Sequence, residues 1–318
     1  MTLISVIIPV KNGEATIQNC LTSIFKQTVA QKLEVIILDS ASTDNTLHFV
    51  KKFPVQVFHI NPNEFDHGLT RNYGVSLAKG EFVYFTVQDA ALADEFVLER
   101  MLIHFADKKI SAIVGMQATP ANSDNDPSIW FKRVSVPKIE VRYFPDGGFN
   151  KLSSQQKYLL SNWDNVNAMY RKQSLINVPF RETSYSEDWF WAFDALSVGM
   201  KLIRDPSCVS FHYHHQYFSY TFKVALILNY NHYLFFDVIP KYPNFLKALL
   251  FALYRTYKAD NIGFTDKFYW SYYNLRKSIA SFLSVLCFRL AFSIGNTKGI
   301  EKLYKLIIKK VPQGKIKP

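Results

Sequence analysis

In the N-terminal part of this chain, apolar runs alternate with segments of helical spacing, and few folds accommodate that order. Leu3–Val10, Glu34–Leu38, Val55–Ile60 and Glu81–Val87 read as strands. Between them, Glu14–Gln27 places Ile17, Leu21, Ile24 and Phe25 on one helical face, and Thr46–Phe53 and Gly68–Lys79 are predicted as further helices. Strands that are apolar throughout need cover on both faces, so the expectation is an α/β fold with a mostly parallel central sheet. Ligands of such sheets bind beyond the carboxyl ends of the strands. Lys11-Asn12, Asp39 and Gln88-Asp89 all fall at such ends.

At 318 residues the chain has room for one large α/β domain and an appendage, or for two modest domains. Charge separates the two. Residues 219–318 hold 16 Lys/Arg against 4 Asp/Glu, a net of +12, whereas residues 1–218 hold 21 against 22, a net of −1. The expected division is therefore an α/β domain over 1–218 and a basic, aromatic-rich helical region over 219–318. Within the first, Thr119–Asn162 is irregular, Val166–Tyr170 reads as a strand and Ser186–Leu196 as a helix, and Lys201–Arg204 and Cys208–His212 as short strands. In the second, Tyr220–Val238, Phe245–Lys258, Phe268–Ile294 and Gly299–Lys310 have helical character. The three cysteines, Cys20, Cys208 and Cys287, are widely spaced and odd in number, so a reducing compartment is expected. MTLISVIIPV lacks the basic leader of a signal peptide. No run of about 18 uncharged apolar residues predicts a full membrane span, and the nearest stretch, Ile279–Ile294, is interrupted by Arg289.

Chemistry concentrates in Asn61–Ala90, NPNEFDHGLTRNYGVSLAKGEFVYFTVQDA. A polar loop carrying Asp66-His67-Gly68 leads into a helix with Arg71 and Asn72, and the strand that follows stops at Gln88-Asp89. A cation and a carboxylate brought to neighbouring ends of one α/β unit suit a diphosphate and its divalent metal, with the forked guanidinium matching phosphate oxygens. A nicotinamide-dependent oxidoreductase would need G-x-G-x-x-G after the first strand, where Pro9-Val10-Lys11-Asn12-Gly13 stands instead. Other positions have ordinary explanations beside functional ones. Asp39 can cap the turn after its strand, Asp44 reads as a helix cap, and Asp66 and His67 can shape their loop through bonds to backbone. Glu187-Asp188 open a helix, where acidic residues are stabilising through the helix dipole alone. His212 and His214 share a strand face but lack cysteines at zinc-finger spacing.

Taken together, Ile4-Ser5-Val6-Ile7-Ile8-Pro9 and EVIILDSASTDNT (Glu34–Thr46) resemble glycosyltransferase family 2, the inverting enzymes with the GT-A fold. Within it, NPNEFDHGLTRN and VQDA are most similar to the rhamnosyltransferase-like group, whose members carry EF-[DN]-HG-x-TRN and a QDA in place of the usual DxD. DNVNAMYRK (Asp164–Lys172), SEDWFW and HYHHQY follow in the expected order, so the likeness covers roughly residues 3–220. The resemblance implies a GT-A nucleotide-diphospho-sugar transferase domain and a set of roles. Asp39 would accept from the base imide, with Pro9 and Asn12 completing the base pocket. Asp66 would contact the donor sugar and Arg71 its diphosphate. Gln88-Asp89 would stand where DxD stands, with Asp89 and His212 (His214 beside it) meeting Mg²⁺ or Mn²⁺. Asp188 would be the general base and Glu187 would orient the acceptor or its loop. With one carboxylate in place of two, the metal is expected to enter with the nucleotide.

The implied reaction moves a sugar, L-rhamnose from dTDP-rhamnose, onto a lipid-linked surface glycan. A UDP-hexose donor is the near alternative, and a non-catalytic glycan-binding module is the alternative of another class. Nucleotidyl transfer would leave Glu187-Asp188 without a task. In the tail, YRTYK, FYWSYYNLRK and KLYKLIIKK interleave cations and aromatics, which could suit nucleic acid. Their Phe, Leu and Ile content at helical spacing better fits an interfacial helix on an anionic leaflet. The expected setting is the cytoplasmic face of the plasma membrane, with a nucleotide-sugar donor, a membrane surface and no nucleic acid as partners.

Overall fold

The computed structural model describes residues 4–131, 138–183, 185–260 and 262–308. Leu3, Lys309 and Lys310, expected at element ends, and residues 132–137 of the irregular stretch lie outside them. The chain divides into two compact units. The first takes the described residues up to Ala118 and from 138 to His212, and the second takes 119–131 and Tyr213 onward.

The first unit opens with β1 (Ile4–Val10), α1 (Ile17–Phe25), β2 (Leu33–Asp39), α2 (Thr46–Val50), β3 (Gln56–His59), α3 (His67–Leu77) and β4 (Phe82–Phe85). It continues through β5 (Ala91–Leu92), α4 (Val97–His104), β6 (Ile110–Ala118), β7 (Glu140–Arg142), α5 (Ser154–Leu160), β8 (Ala168–Arg171), α6 (Lys172–Asn177), α7 (Glu187–Ser197) and β9 (Lys201–Phe211). One sheet holds them in the order β3-β2-β1-β4-β8-β6-β9-β5, with β7 on β9. β1 pairs in parallel with β2 and β4, β2 with β3, and β6 with β9. β8 enters antiparallel between β4 and β6, while β5 and β7 run antiparallel to β9. Six of the nine strands therefore point one way, as the apolar strand pattern predicts.

Both faces of the sheet are covered, and strand alternation decides which side chain serves which face. Ile4, Val6, Ile8 and Val10 of β1 join Val35 and Ile37 of β2 against Ile17, Cys20, Leu21 and Ile24 of α1. Ile7, Ile36 and Leu38 point to the other face, with Val75 of α3, Tyr170 and Trp191. Gly74 lets α3 lie close there, because a Cβ would sit 2.6 Å from Ile7 Cγ2. α4 and the nine-residue β6 had no counterpart in the sequence reading. The two short strands expected at 201–212 are one strand, β9, whose register against β6 shifts between the Val114↔Arg204 and Met116↔Val209 pairs. Asp205-Pro206-Ser207 makes that irregularity: Asp205 accepts the Ser207 N–H at 2.9 Å, and proline has no N–H for the ladder.

The second unit is built on α8 (Phe218–Phe236), α9 (Phe245–Tyr257) and α10 (Phe264–Ile308). α10 is two helices in one contour, since Asn296 is non-helical (φ 50°, ψ −141°), which matches the break expected between Ile294 and Gly299. Gly299 is needed beyond the break, because a Cβ would lie 2.1 Å from the Ala291 carbonyl oxygen. A small aromatic core gathers here, with Tyr230 stacked on Tyr304 at 3.9 Å beside Phe288 and Ile300. By length and composition α10 is apolar enough to cross a bilayer, where no full span was expected because Arg289 interrupts its apolar stretch.

Candidate active site

Strand direction gathers the site. β1, β2, β4, β6 and β9 run the same way, so Lys11-Asn12, Asp39, Gln88-Asp89, Gln117 and His212 meet at one edge. β8 runs oppositely, which brings the residues preceding it, Asp164–Asn167, to the same edge.

The β1–β2 rim holds the three residues expected around a nucleotide base. Pro9 pairs with Leu38 across the strands. Asn12 is left-handed (φ 50°), donates its N–H to Ser42 Oγ at 3.0 Å and accepts from the Thr43 N–H at 2.9 Å. Asp39 is buried, accepts from the Ser42 N–H at 3.2 Å and lies 3.2 Å from His59 Nδ1. Asp44 is the expected cap, accepting the Thr46 N–H at 3.0 Å.

Three residues expected to touch the donor are engaged elsewhere. Gln88 clamps the end of β1: its Oε1 accepts from the Lys11 N–H at 2.8 Å and its Nε2 donates to the Lys11 carbonyl at 3.1 Å. An aspartate could not make the second bond, being acceptor-only, so the structure gives a reason for QD where DxD is usual. Asp66 is the N-cap of α3, accepting from the Gly68 and Leu69 N–H groups at 2.8 and 2.9 Å, and its second oxygen accepts from the Thr183 N–H at 3.0 Å. The loop-shaping alternative describes it better than a sugar contact does. Arg71, expected as a diphosphate ligand, is 5% exposed and pairs with Glu187 at 2.6 Å. It also donates to the His67 carbonyl at 3.0 Å and lies over the Phe85 ring. Its fork is turned inward, toward a carboxylate of the protein itself.

That ion pair organises the start of α7. Ser186, which precedes it, is left-handed at φ 69°, a strained setting for a non-glycine residue that recurs at functional sites. Asn165 ties both acids down: its backbone N–H donates to Asp188 Oδ2 and its side-chain amide to Glu187 Oε1, each at 3.3 Å. Asn165 is itself held by the Tyr170 hydroxyl at 2.5 Å, which accepts from the Trp163 indole at 2.8 Å. The adjacent acids are driven apart in affinity for protons. Burial raises Glu187, but the Arg71 and His67 charges outweigh it and hold the carboxyl below its ordinary range. Burial also raises Asp188, and the nearby Glu187 and Asp164 charges push it further, well above the ordinary carboxylate range. Paired groups with opposed shifts are the usual signature of divided acid and base roles.

Asp89 stands opposite His212, with Oδ1 3.4 Å from Nε2 and each side chain 13% exposed. His212 Nδ1 meets Gln117 Oε1 at 2.8 Å, and the Gln117 amide nitrogen donates to Asp164 Oδ2. Asp164 is steadied by the Val166 N–H at 2.8 Å. A carboxylate and an imidazole nitrogen turned toward each other form a donor set that suits a divalent cation, so Asp89 and His212 fit the expected metal. His214 lies past the end of this unit. Asp164 thus touches the metal side and lies within electrostatic reach of Asp188. Sequence reasoning assigned no role to Asp164, Asn165 or Gln117. The first two stand in the quoted DNVNAMYRK run, whereas Gln117 is a polar residue in a strand that was not anticipated.

This sheet, with helices on both faces and polar residues gathered at one edge, is that of the GT-A fold. The profile of Glycosyl transferase family 2 matches residues 5–178, more than half of the chain, and the chain belongs to that family. An O-antigen chain rhamnosyltransferase of Salmonella anatum is 34% identical over 206 residues, which cover 64% of this chain and 63% of the relative. Its counterpart in Salmonella typhimurium is 28% identical over 217 residues, 66% of each. The match thus spans just under two thirds of either relative's length. Among solved structures, the mannosyltransferase of Pyrobaculum calidifontis in complex with GDP-Man and Mn²⁺ superposes with a TM-score of 0.54 at 17% identity, over 96% of this chain and 84% of that one.

Proposed function

We propose that this chain is an inverting glycosyltransferase with Asp188 as its general base. The observation that carries the reading is the divided pair at the start of α7, where Arg71 holds Glu187 ionised while burial and two acidic neighbours make Asp188 ready to take a proton. The acceptor hydroxyl gives its proton to Asp188 as its oxygen attacks the anomeric carbon. The bond from that carbon to the nucleoside diphosphate breaks with its electron pair on the diphosphate, and a single displacement inverts the configuration. Glu187, fixed by Arg71 and Asn165, sustains the basicity of Asp188 through its charge, while the Asn165 N–H holds the Asp188 carboxylate. Mg²⁺ or Mn²⁺ held by Asp89 and His212 would offset charge on the departing diphosphate.

The proposed donor is dTDP-L-rhamnose and the acceptor a lipid-linked surface glycan, readings supported by the EFDHGLTRN and QDA motifs and the two Salmonella relatives. Contact with the cytoplasmic face of the membrane is proposed through the second unit. α9 turns Leu246, Leu250, Phe251 and Tyr254 to solvent, and cations outnumber acids 16 to 4 over residues 219–318. The deciding assay offers a panel of nucleotide sugars with membrane extract as acceptor and Mn²⁺ present. Turnover of dTDP-rhamnose is the expected result. Brisk use of a UDP-hexose with none of dTDP-rhamnose overturns the donor, and equal behaviour of the parent and Asp188→Asn overturns the base.

A further inference from the structure

The orientation of the His212 ring depends on two further side chains, Gln117 and Asp164. Asp164, as a carboxylate, can only accept hydrogen bonds, so the Gln117 NH₂ group must be the end that faces it. The other end of that amide, Oε1, therefore faces His212 Nδ1, at 2.8 Å. An oxygen acceptor there requires the imidazole proton on Nδ1. In the neutral ring the lone pair is then left on Nε2, the nitrogen that lies 3.4 Å from Asp89 Oδ1. Had the amide been turned over, its NH₂ would favour a bare Nδ1 and a proton on Nε2. His212 and Asp89 would then make an ordinary hydrogen bond with no open donor set between them.

We infer that Gln117 and Asp164 are positioning residues that hold His212 in the Nδ1–H tautomer and so keep its Nε2 available to the divalent cation beside Asp89. The inference rests on the metal-dependent reading above. Partners that orient a ligating imidazole commonly govern metal affinity, and their loss typically costs about 10–100-fold. Asp164 acts one bond further out, because it settles the direction of the Gln117 amide. The Val166 N–H in turn fixes the Asp164 carboxylate ahead of β8.

The test begins on the unaltered full-length chain. Long-range proton–nitrogen NMR of the histidine rings, with His212→Gln to assign the signal, should show His212 carrying its proton on Nδ1 without metal. A neutral ring with its proton on Nε2 overturns the inference. Mn²⁺ is then titrated by EPR in the presence of dTDP. Gln117→Leu should bind Mn²⁺ about 10–100-fold more weakly than the parent. Asp164→Asn, which can still accept from Gln117, should lose less than Asp164→Leu. In transfer assays the Gln117→Leu deficit should close at saturating Mn²⁺, a recovery that a misfolded variant would not show. Unchanged Mn²⁺ affinity in Gln117→Leu refutes the relay. A parent chain that has the Nδ1–H tautomer and binds Mn²⁺, yet transfers no sugar, removes the enzymatic reading and leaves this inference standing.

Discussion

The two units treat polarity in opposite ways. In the sheet unit the unusual residues are buried polar ones: Arg71, Glu187 and Asn165 sit inside, each engaged by another. In the helical unit the notable residues are exposed apolar ones, with Phe264 76% and Ile294 87% accessible. Both features are costly. A buried charge loses hydration that only well-placed partners can replace, and exposed apolar surface forfeits the main driving force of folding. A sheet edge lined with internally paired charges suits chemistry on a charged small molecule, and an apolar surface set among cations suits a broad, soft, anionic one.

The largest effect expected concerns Asp188. Replacing a positioned general base typically costs about 10²–10⁴-fold in rate, so Asp188→Asn should lose transfer by that order while donor binding, followed calorimetrically, persists. The same variant carries an opposite effect on stability. A carboxyl that titrates higher folded than unfolded favours the fold most below its unfolded value of about 3.9, and that contribution is lost as pH rises through the folded value. Asp188→Asn removes the loss, so its denaturant midpoint at neutral pH should equal or exceed the parent's. A lower midpoint would contradict the shift described here.

Next come the ion pairs, which set the two units side by side. Removing one partner of a buried pair leaves a stranded charge, at about 3–5 kcal/mol. Arg71→Met should therefore lower the unfolding free energy by that amount, read from urea denaturation. Glu301–Lys305 in α10 is also a close pair, at 2.7 Å, but solvent-exposed, and Lys305→Gln should leave the melting curve unchanged. Comparable losses in both variants would break the contrast between the units.

A smaller and more diagnostic effect lies in the pH profile. The proposed mechanism needs ionised Asp188, so the acid limb of kcat should fall above the ordinary carboxylate range. Glu187→Gln removes a neighbouring negative charge and frees the Arg71 cation, both of which lower Asp188, so the limb should move to lower pH. An unmoved limb would mean that another group controls it. Membrane association offers the gentlest change: flotation should favour anionic over neutral vesicles, and Leu250→Glu with Phe251→Glu should reduce recovery severalfold. Equal recovery on both vesicle types would remove charge from the explanation.

The architecture was largely legible in the linear chain. β1 and β2 are apolar on both faces, and a segment with that pattern has few places to go except the middle of a covered sheet. The break in α10 could be anticipated at Gly295-Asn296, where helical spacing lapses. β6 and α4 were harder: ISAIVGMQA has no turn signal setting it off clearly, and its neighbours give it no alternation of type. Asp205-Pro206-Ser207 looked like a boundary because proline interrupts a ladder, yet the strand resumes beyond it. Bulges of this kind are decided by the partner strand, which local sequence does not contain.

Within the site, residue type indicated the chemistry and the fold distributed the tasks. Roles for Asp89, Asp188, Glu187 and His212 follow from the family resemblance of their motifs, since by position alone Glu187-Asp188 need only serve a helix dipole and His212 has an ordinary reading. That Arg71 faces inward to Glu187, that Gln88 clamps Lys11 and that Asp66 caps α3 were not foreseeable, since each depends on a partner distant in sequence or on which way a side chain turns. Local order along a chain determines periodicity, capping and the stock of reactive groups, because these arise from neighbours a few bonds away. Which of those groups bond one another, and which are left over for a substrate, is decided only when strands from residues 4 to 211 are laid side by side and their ends share one edge.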